Sequence, residues 1–357
     1  MTDSYEIDFL SVGEKSSGDA ILIKVTRDGE TCITLVDGGY AGTADNIHNY
    51  LKIHYGSDRI DHIVLTHGDQ DHISGIIKII ELGAIEIGCL WMLKPWDYVQ
   101  ELLDIFPTRS DPDYLRGRLR NDYPSLFELE KLAIKNSIPI KAPFANQNIG
   151  FFTVLSPTKD FYLEMIGQSA RTPSTESKKE AFRNIFESAY NGAVRLLSWG
   201  AEDFKAEDTS PENNTSVIQY GDLNGSKFLF TGDSGKKALI QALEHPLLRS
   251  SKVPLVDHFQ IPHHGSRRNL SSEILDVLFG PRIDKQKDYI KTFTAIVSAA
   301  KKDSSHPKNT VVRAVIHRGG EVFTTKNGGY RKHYNAPERK GWKKAIPLIY
   351  PTATDKG

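Results

Sequence analysis

The first third of the chain alternates two hydrophobic patterns. Short segments rich in β-branched and aromatic residues predict strands: YEIDFLSV, AILIKV, TCITLV and IDHIVLT. Between and after them, ADNIHNYLKIHY and ISGIIKIIELG carry apolar residues at helical spacing, and the second ends in Gly83, a common helix terminator. This part of the chain therefore predicts a sheet covered by helices.

A second block of predicted strands follows in the C-terminal half, in NTSVIQYG, KFLFTGD, HFQIPHH, FTAIVSA and EVFTT. Helical pieces near 236–245 and 271–278 separate some of these strands. Two blocks of strands bordered by helices predict two packed sheets with helices outside, an αββα sandwich of the α/β class. We expect residues 1–357 to form a single domain of this kind.

Two polar stretches lie between these blocks. Residues 94–148 favour helices punctuated by six prolines, and residues 158–210 have no strand signal but include the helix-like SKKEAFRNIFESAYNGAVRLLSW. We expect both to be helical, polar insertions over one face of the core. Residues 310–357 are expected to form a basic C-terminal extension.

Bulk composition restricts the function classes. Lys plus Arg (45) equals Asp plus Glu (45), so overall charge does not favour binding to nucleic acid or membranes. The segment MTDSYEIDFLSV lacks the features of a secretory signal, and no apolar run has the length of a membrane span. Cys32 and Cys89 lie in apolar strand-like segments, typical of structural thiols in a reducing compartment. We expect a cytoplasmic protein with no membrane partner.

Four potential metal ligands stand within six positions, directly after the apolar strand IDHIVL: His67, Asp69, Asp71 and His72. A tight turn can direct such side chains at a common point, and ligands from one rigid loop lose little entropy on binding a metal ion. In the alternative interpretation, the two carboxylates cap the following helix and the histidines lie at the surface. Because caps do not require two histidines, the pattern favours metal binding.

Three further motifs also follow predicted strands. LFTGD delivers Asp233, whose carboxylate could bridge two cations, although a strand followed by Gly-Asp is also a common turn. His263 and His264 are adjacent and therefore point in different directions, so one can bind metal while the other donates a proton or contacts phosphate. The alternative is an ordinary hydrogen-bonded pair. His306 follows the strand-like AIVSA.

The remaining histidines lie in helical or strand contexts and are interpreted as structural: His48, His54, His62, His245, His258, His317 and His333.

Seven short motifs occur in a fixed order along the chain: Val12–Ile23 (VGEKSSGDAILI), Val36–Gly39 (VDGG), Thr66–Gly75 (THGDQDHISG), Asn213–Ser216, Phe228–Asp233, His263–Ser266 and His306-Pro307. Together they resemble the metallo-β-lactamase superfamily of hydrolases. The resemblance is closer to the branch typified by the soluble hydrolase domain of the competence protein ComEC, and it spans about residues 5 to 310. It implies the metallo-β-lactamase fold.

The resemblance also implies a site for two divalent metal ions, zinc or manganese. By this analogy His67 and Asp69 bind one ion, Asp71 and His72 bind the other, and Asp233 bridges both. His263 and His306 are two further candidate metal ligands. The candidate catalytic residues are Asp71, His263 and His264. Asp37 would orient a ligand histidine, and Asp19 is given no role beyond lining the cleft.

Two departures from the superfamily pattern affect the expected metal. The common form has His where Asp69 stands, and it has a further His before the bridging carboxylate, yet no His occurs from 73 to 232 and Ser156 occupies roughly that region. One metal site is therefore poor in ligands or is filled by oxygen donors. Oxygen donors favour harder cations, so Mn²⁺ rivals Zn²⁺.

Hydrolysis by a metal-bound hydroxide is the expected reaction, because a bound cation lowers the pKa of water toward neutrality. The ComEC-like resemblance implies a phosphodiesterase or nuclease that acts on DNA or another nucleic acid. Residues 301–357 carry 13 Lys or Arg against 4 Asp or Glu, a patch that could hold a phosphate backbone. The alternatives are a hydrolase of small esters, lactones or cyclic nucleotides, and a metal-binding scaffold subunit of a larger system.

Overall fold

Two seven-stranded sheets form the centre of the protein. The computed structural model describes residues 3–105, 111–169, 199–250, 252–283 and 286–355. The strands in these ranges are β1 (Ser4–Phe9), β2 (Ile21–Arg27), β3 (Glu30–Val36), β4 (Arg59–Val64), β5 (Glu86–Trp91), β6 (Ile140–Lys141), β7 (Asn148–Ile149), β8 (Phe152–Ser156), β9 (Ile218–Leu223), β10 (Ser226–Phe230), β11 (His258–Gln260), β12 (Phe293–Val297), β13 (Gly320–Thr324) and β14 (Tyr330–Tyr334). The first sheet has the order β14-β1-β2-β3-β4-β5-β6, and the second has the order β13-β12-β11-β10-β9-β8-β7.

Helices cover the outer faces of both sheets. They are α1 (Ala44–Tyr50), α2 (Gln70–Leu82), α3 (Val99–Ile105), α4 (Pro112–Asp122), α5 (Pro124–Lys135), α6 (Lys159–Gln168), α7 (Pro211–Asn214), α8 (Lys236–Leu243), α9 (Ser272–Phe279) and α10 (Asn309–Ile316). A π-helical turn, Leu51–Tyr55, continues α1. Among the described residues, none of the helices combines the length and apolarity that crossing a bilayer requires.

The apolar side chains form three layers, as β2 illustrates. Ile21, Ile23 and Val25 point into the space between the sheets, where they meet Phe228 of the second sheet. Leu22 points the other way, into the layer between the first sheet and its helices. Because side chains alternate along a strand, β2 packs on both faces. The predicted αββα sandwich of the α/β class is confirmed.

The predicted insertion at 94–148 contains α3, α4, α5 and β6. Leu102, Leu115 and Leu129 of its helices are fully buried in the layer that also covers the first sheet. These helices are thus part of the outer layer. The helix predicted in SKKEAFRNIFESAYNGAVRLLSW lies almost entirely outside the described residues.

The C-terminal segment is built into the sandwich. It supplies α10, β13 and β14, and β14, which the sequence patterns did not predict, pairs antiparallel with β1. Arg331 and Arg339 form ion pairs with the buried Glu6, and Arg318 forms ion pairs with Glu202. Part of the basic charge that the sequence assigns to this region is therefore neutralised inside the protein.

Most of the polar motifs follow strands that are parallel to at least one neighbour. Strand β4 is parallel to β3, and β11 is parallel to β10 and to β12. Parallel strands end at the same edge of a sheet, which is where α/β proteins commonly place binding loops. The loops after β3, β4, β10 and β11 carry Asp37, His67, Asp233 and His263, respectively.

Helix α2 approaches the turn after β3 unusually closely. The backbone N–H of Gly38 donates to the carbonyl oxygen of His72 over 2.8 Å, and the N–H of Gly75 donates to the carbonyl oxygen of Gly39 over 2.8 Å. A Cβ atom on Gly75 would lie 1.8 Å from the carbonyl oxygen of Gly38. Only glycine permits this contact, which brings the start of α2 against Asp37.

We expect Gly75→Ala to destabilise the fold by at least about 1–3 kcal/mol, because the added methyl group forces α2 away from the Asp37 turn. The free energy of unfolding in urea measures this effect. Gly117→Ala is the matched control, since Gly117 lies in α4 and a Cβ there meets open space. That change should stabilise the protein by up to about 1 kcal/mol. If Gly75→Ala were as stable as the parent protein, the contact between Gly75 and the Gly38 carbonyl would not require glycine at position 75.

Candidate metal centre

The THGDQDH loop places its four candidate ligands at the start of α2. His67 and His72 are buried, with 4% and 0% of their surfaces exposed. Asp69 directly precedes α2, but its side chain makes no capping hydrogen bond. The Oδ2 atom of Asp69 instead lies 3.5 Å from Nε2 of His67. The geometry favours a ligand loop over a simple helix cap.

Asp37 holds the ring of His72 in one orientation. The Nδ1 atom of His72 lies 2.7 Å from Oδ2 of Asp37, and the same carboxylate accepts hydrogen bonds from the backbone N–H and the hydroxyl of Thr66. With its Nδ1 proton directed at Asp37, His72 presents the Nε2 lone pair to the cleft. Carboxylates commonly orient metal-binding histidines in this way.

Asp233 lies between the two halves of the cluster. Its Oδ1 atom is 3.3 Å from Nε2 of His72, and its Oδ2 atom is 3.6 Å from Nε2 of His263. Asn269 donates hydrogen bonds to the backbone oxygens of Asp233 and Ser234, which hold the turn after β10. The carboxylate thus lies centrally among the candidate ligands, and the bridging role that the resemblance implies stays a prediction.

The turn after β11 is held in an uncommon backbone conformation. His263 and His264 have φ angles of 48° and 54°, in the left-handed region that non-glycine residues rarely adopt. Nδ1 of His264 lies 3.0 Å from the carbonyl oxygen of Ser298, and its Nε2 lies 3.2 Å from Oδ2 of Asp71. Strained backbone of this kind is concentrated at functional sites, where it aims side chains.

Asn213 sets the orientation of His263. The hydroxyl of Ser210 donates to Oδ1 of Asn213, which leaves the amide N–H groups of Asn213 to face Nδ1 of His263, 2.8 Å away. An N–H donor at Nδ1 places the ring proton of neutral His263 on Nε2. His263 therefore presents a donor to the cleft, whereas His264 presents a lone pair.

Four donor atoms converge in the interior of the cleft. Side chains of Asp19, His72, Asp233 and His264 each offer one atom within 4.8 Å of the others, and all four residues are buried. Asp19 Oδ1, His72 Nε2 and Asp233 Oδ1 have no hydrogen-bond partner among the described residues, and neither does Nε2 of His67. Burying such atoms without partners costs free energy, so their convergence fits a divalent cation.

His306 does not join this group. Its ring centroid lies 6.4 Å from that of His264, and its Nδ1 atom lies 3.1 Å from Oδ2 of Asp303. The structure thus brings His67, Asp69, Asp71, His72, Asp233, His263 and His264 around one cleft, and it leaves His306 beside them.

The charges of the buried imidazoles depend on the carboxylates around them. Burial opposes the protonated form of His72, but Asp233 and Asp37 outweigh it and raise the pKa of His72 well above its usual value. Burial likewise opposes protonation of His264, yet Asp233 and Asp71 raise its pKa to about 9. Burial lowers the pKa of His263. A bound metal ion has to displace the protons of His72 and His264.

The two sides of the cleft differ in character. Beside His67 and Asp69, the wall is largely apolar and aromatic and comes mainly from α5, α6 and the residues that flank them: Leu93, Tyr123, Leu126, Tyr162 and Ile166. On the His306 side, the loop between β12 and α10 carries Lys301, Lys302 and Lys308, of which the first two are exposed.

Sequence patterns gave too little weight to two residues of the site. Asp19 was assigned only to the lining of the cleft, and Asn213 was noted only as part of a motif. In the sequence, only their positions in the GDAILI and NNTS segments could have pointed to a role for Asp19 and Asn213. Neither segment reveals which distant histidine its polar residue meets, since Asn213 and His263 are 50 positions apart.

Comparison with known proteins agrees with this architecture. Residues 14–136 match the family model of the metallo-beta-lactamase superfamily. With its two sheets and outer helices, the protein has the metallo-β-lactamase fold, and the matched segment is similar to the domains of that superfamily. The narrower resemblance to the ComEC branch stays a prediction.

Solved structures similar to the chain include the metallo-beta-lactamase fold protein YhfI from Bacillus subtilis, with 12% identity, a TM-score of 0.42, and coverage of 93% of this chain and 100% of that protein. The hydrolase AbOPH of the beta lactamase superfamily matches with 13% identity and a TM-score of 0.29, over 63% of this chain and 66% of AbOPH. A beta-lactamase domain protein from Burkholderia ambifaria has 14% identity and a TM-score of 0.29, over 63% and 52% of the two chains. No curated protein gives a significant match.

We expect Asp37→Asn to weaken binding of a divalent metal by about 10–100-fold. An amide nitrogen facing His72 would move the ring proton to Nε2 and remove the lone pair from the cleft. Titration calorimetry with Mn²⁺ and Zn²⁺ measures the change. Asp61→Asn is the control, because Asp61 accepts from the backbone N–H of Ile33 near the start of β4, away from the cluster. Unchanged affinity in Asp37→Asn would contradict the orienting role.

Proposed function

We propose that the protein is a metal-dependent hydrolase whose substrates are the phosphodiesters of nucleic acid. The observation that carries this proposal is the convergence of buried donor atoms without partners, on His67, His72 and Asp233, where strands of both sheets end. A site of this kind is suited to divalent cations. The order of the motifs around it resembles the order found in hydrolases of the metallo-β-lactamase superfamily.

The residues divide between two metal positions in this proposal. His67 and Asp69 hold one ion, Asp71 and His72 hold the other, and Asp233 lies between them. When bound, two such cations supply an acidified water as nucleophile and stabilise the negative charge of the transition state.

His263 and His264 have different roles in the proposed reaction. His264 directs its Nδ1 proton at the Ser298 carbonyl and its Nε2 lone pair at the cluster, so it acts as a ligand. His263 is reachable from solvent, with 31% of its side chain exposed, and presents an Nε2 proton. It is therefore suited to donate a hydrogen bond to a phosphoryl oxygen of the substrate.

Charge near the cleft supports an anionic substrate. Lys301 and Lys302 are exposed and Lys308 is half-buried on the loop that carries His306, and Lys302 also pairs with Glu14. Arg318, Arg331 and Arg339 are engaged in internal ion pairs, so we assign the phosphate contacts to this loop and not to those arginines.

One observation favours a second candidate, a hydrolase of small esters, lactones or cyclic nucleotides. Tyr123, Leu126 and Tyr162 form an apolar wall beside His67 and Asp69. An apolar wall so close to the ligands restricts the space for a long polymer and accommodates a compact substrate with an apolar group.

The test is hydrolysis by metal-stripped protein that is re-supplied separately with Mn²⁺ and Zn²⁺. The substrates are bis-p-nitrophenyl phosphate, a cyclic nucleotide, a lactone, and labelled single- and double-stranded DNA. We expect one metal to restore cleavage of DNA. Cleavage of only the small substrates would favour the second candidate, and no turnover despite metal binding would favour a metal-binding scaffold.

We expect Asp71→Ala and His72→Ala to abolish the metal-dependent activity and to leave the fold largely intact, as circular dichroism would show. Asp58→Ala and His245→Ala are the matched controls, because Asp58 pairs with Lys52 before β4 and His245 contacts Asn146 after α8, and neither residue contacts the cluster among the described interactions. Both control variants should retain full activity. Full activity in either site variant would contradict the assignment of the metal centre.

His263→Ala and His264→Ala are expected to differ in metal content. His264→Ala should lose bound metal, measured by elemental analysis after dialysis, because it removes a lone-pair donor. His263→Ala should keep its metal but lower kcat/KM by about 10²–10³-fold, as loss of a transition-state hydrogen-bond donor does. Loss of metal in His263→Ala would reverse the two roles.

A further inference from the structure

Asp19 reaches the cluster from a part of the chain remote from the other ligands. It lies just before β2, and its backbone N–H donates to the carbonyl oxygen of Asp71 over 3.2 Å. Gly18 makes this approach possible, since a Cβ atom there would lie 2.7 Å from the same oxygen. The GDA segment is thus packed directly against the start of α2.

The carboxylate of Asp19 is directed at the donor atoms. Only 2% of the residue is exposed, its Oδ1 atom has no hydrogen-bond partner among the described residues, and one of its oxygens lies within 4.8 Å of donors on His72, Asp233 and His264. An unpartnered buried carboxylate is costly unless a nearby cation compensates it.

Asp71 occupies a different place around the same histidines. Its Oδ2 atom lies 3.2 Å from Nε2 of His264 and 3.7 Å from Nε2 of His72, and 22% of its side chain is exposed. Asp19 therefore closes the buried side of the cluster, and Asp71 lies where solvent and substrate can reach. The two carboxylates are not interchangeable.

We propose that Asp19 is a ligand of the metal ion held by His72, Asp233 and His264, in the place that His306 was expected to fill. This inference rests on the metal centre of the proposed function. Together with Asp71, which the proposed function assigns to the same ion, this gives three carboxylates and two imidazoles. Such a donor set is harder than one rich in histidine, and carboxylate oxygens suit Mn²⁺. Asp19 contributes more to the affinity for Mn²⁺ than to the affinity for Zn²⁺.

The experiment compares metal binding by the full chain and by Asp19→Asn. Binding of Mn²⁺ is followed by the electron paramagnetic resonance signal of free Mn²⁺, and binding of Zn²⁺ by competition with a chromogenic chelator. We expect Asp19→Asn to bind Mn²⁺ at least about tenfold more weakly, and to lose less affinity for Zn²⁺. Asp257→Asn is the matched control, because Asp257 lies before β11, at the end of that strand opposite to His263, and accepts from the backbone N–H of Lys227. It should bind both metals as the parent protein does.

Two results would overturn the inference, and they are distinguishable. If the parent protein binds metal and Asp19→Asn binds Mn²⁺ with the same affinity and stoichiometry, Asp19 is not a ligand, while the proposed function stands. If the parent protein binds neither metal, both the proposed function and this inference fail. Should Asp19→Asn not fold, as judged by far-ultraviolet circular dichroism, the same titrations of Asp19→Ser decide the question.

Discussion

The carboxylate of Asp37 is the interaction on which the site depends. Its two oxygens accept from the Thr66 backbone, the Thr66 hydroxyl and the His72 ring, so one side chain joins the end of β3, the loop after β4 and the first turn of α2. This arrangement is possible because Gly38 and Gly75 let turn and helix meet without a Cβ between them. The close contact of two glycines thus determines where His72 points.

The site also concentrates features that disfavour the folded state. Asp37, His263 and His264 all have positive φ angles, and several donor atoms are buried without partners. Each such feature costs on the order of 1–3 kcal/mol. The three apolar layers of the sandwich provide the stabilisation that offsets these costs. Because the loops are anchored to hydrogen-bonded strands, they can hold a geometry that an isolated peptide would not adopt.

Hydrophobic periodicity was sufficient to predict the sandwich, because strands such as β2 and helices such as α2 bury continuous apolar faces. Strand β14 escaped prediction because YRKHY has three consecutive basic residues between two tyrosines and forms the edge of its sheet, where the apolar signal is weak. The loop ligands were predictable because they cluster in sequence. Asp19 was not, since a single Asp between Gly and Ala resembles any turn until the fold brings it beside His264. Local sequence also could not reveal that Arg331 and Arg339 face Glu6, more than 320 positions away.

The four converging residues belong to different halves of the chain. Asp19 and His72 come from the first sheet and its helices, whereas Asp233 and His264 come from loops of the second sheet. An ion held by all four would act as a cross-link between the two halves of the sandwich. Because such an ion binds the folded chain and finds no assembled site in the unfolded one, the folded population would rise with the supply of free ion. Metal availability would then govern how long the protein survives proteolysis, as well as whether its site is loaded.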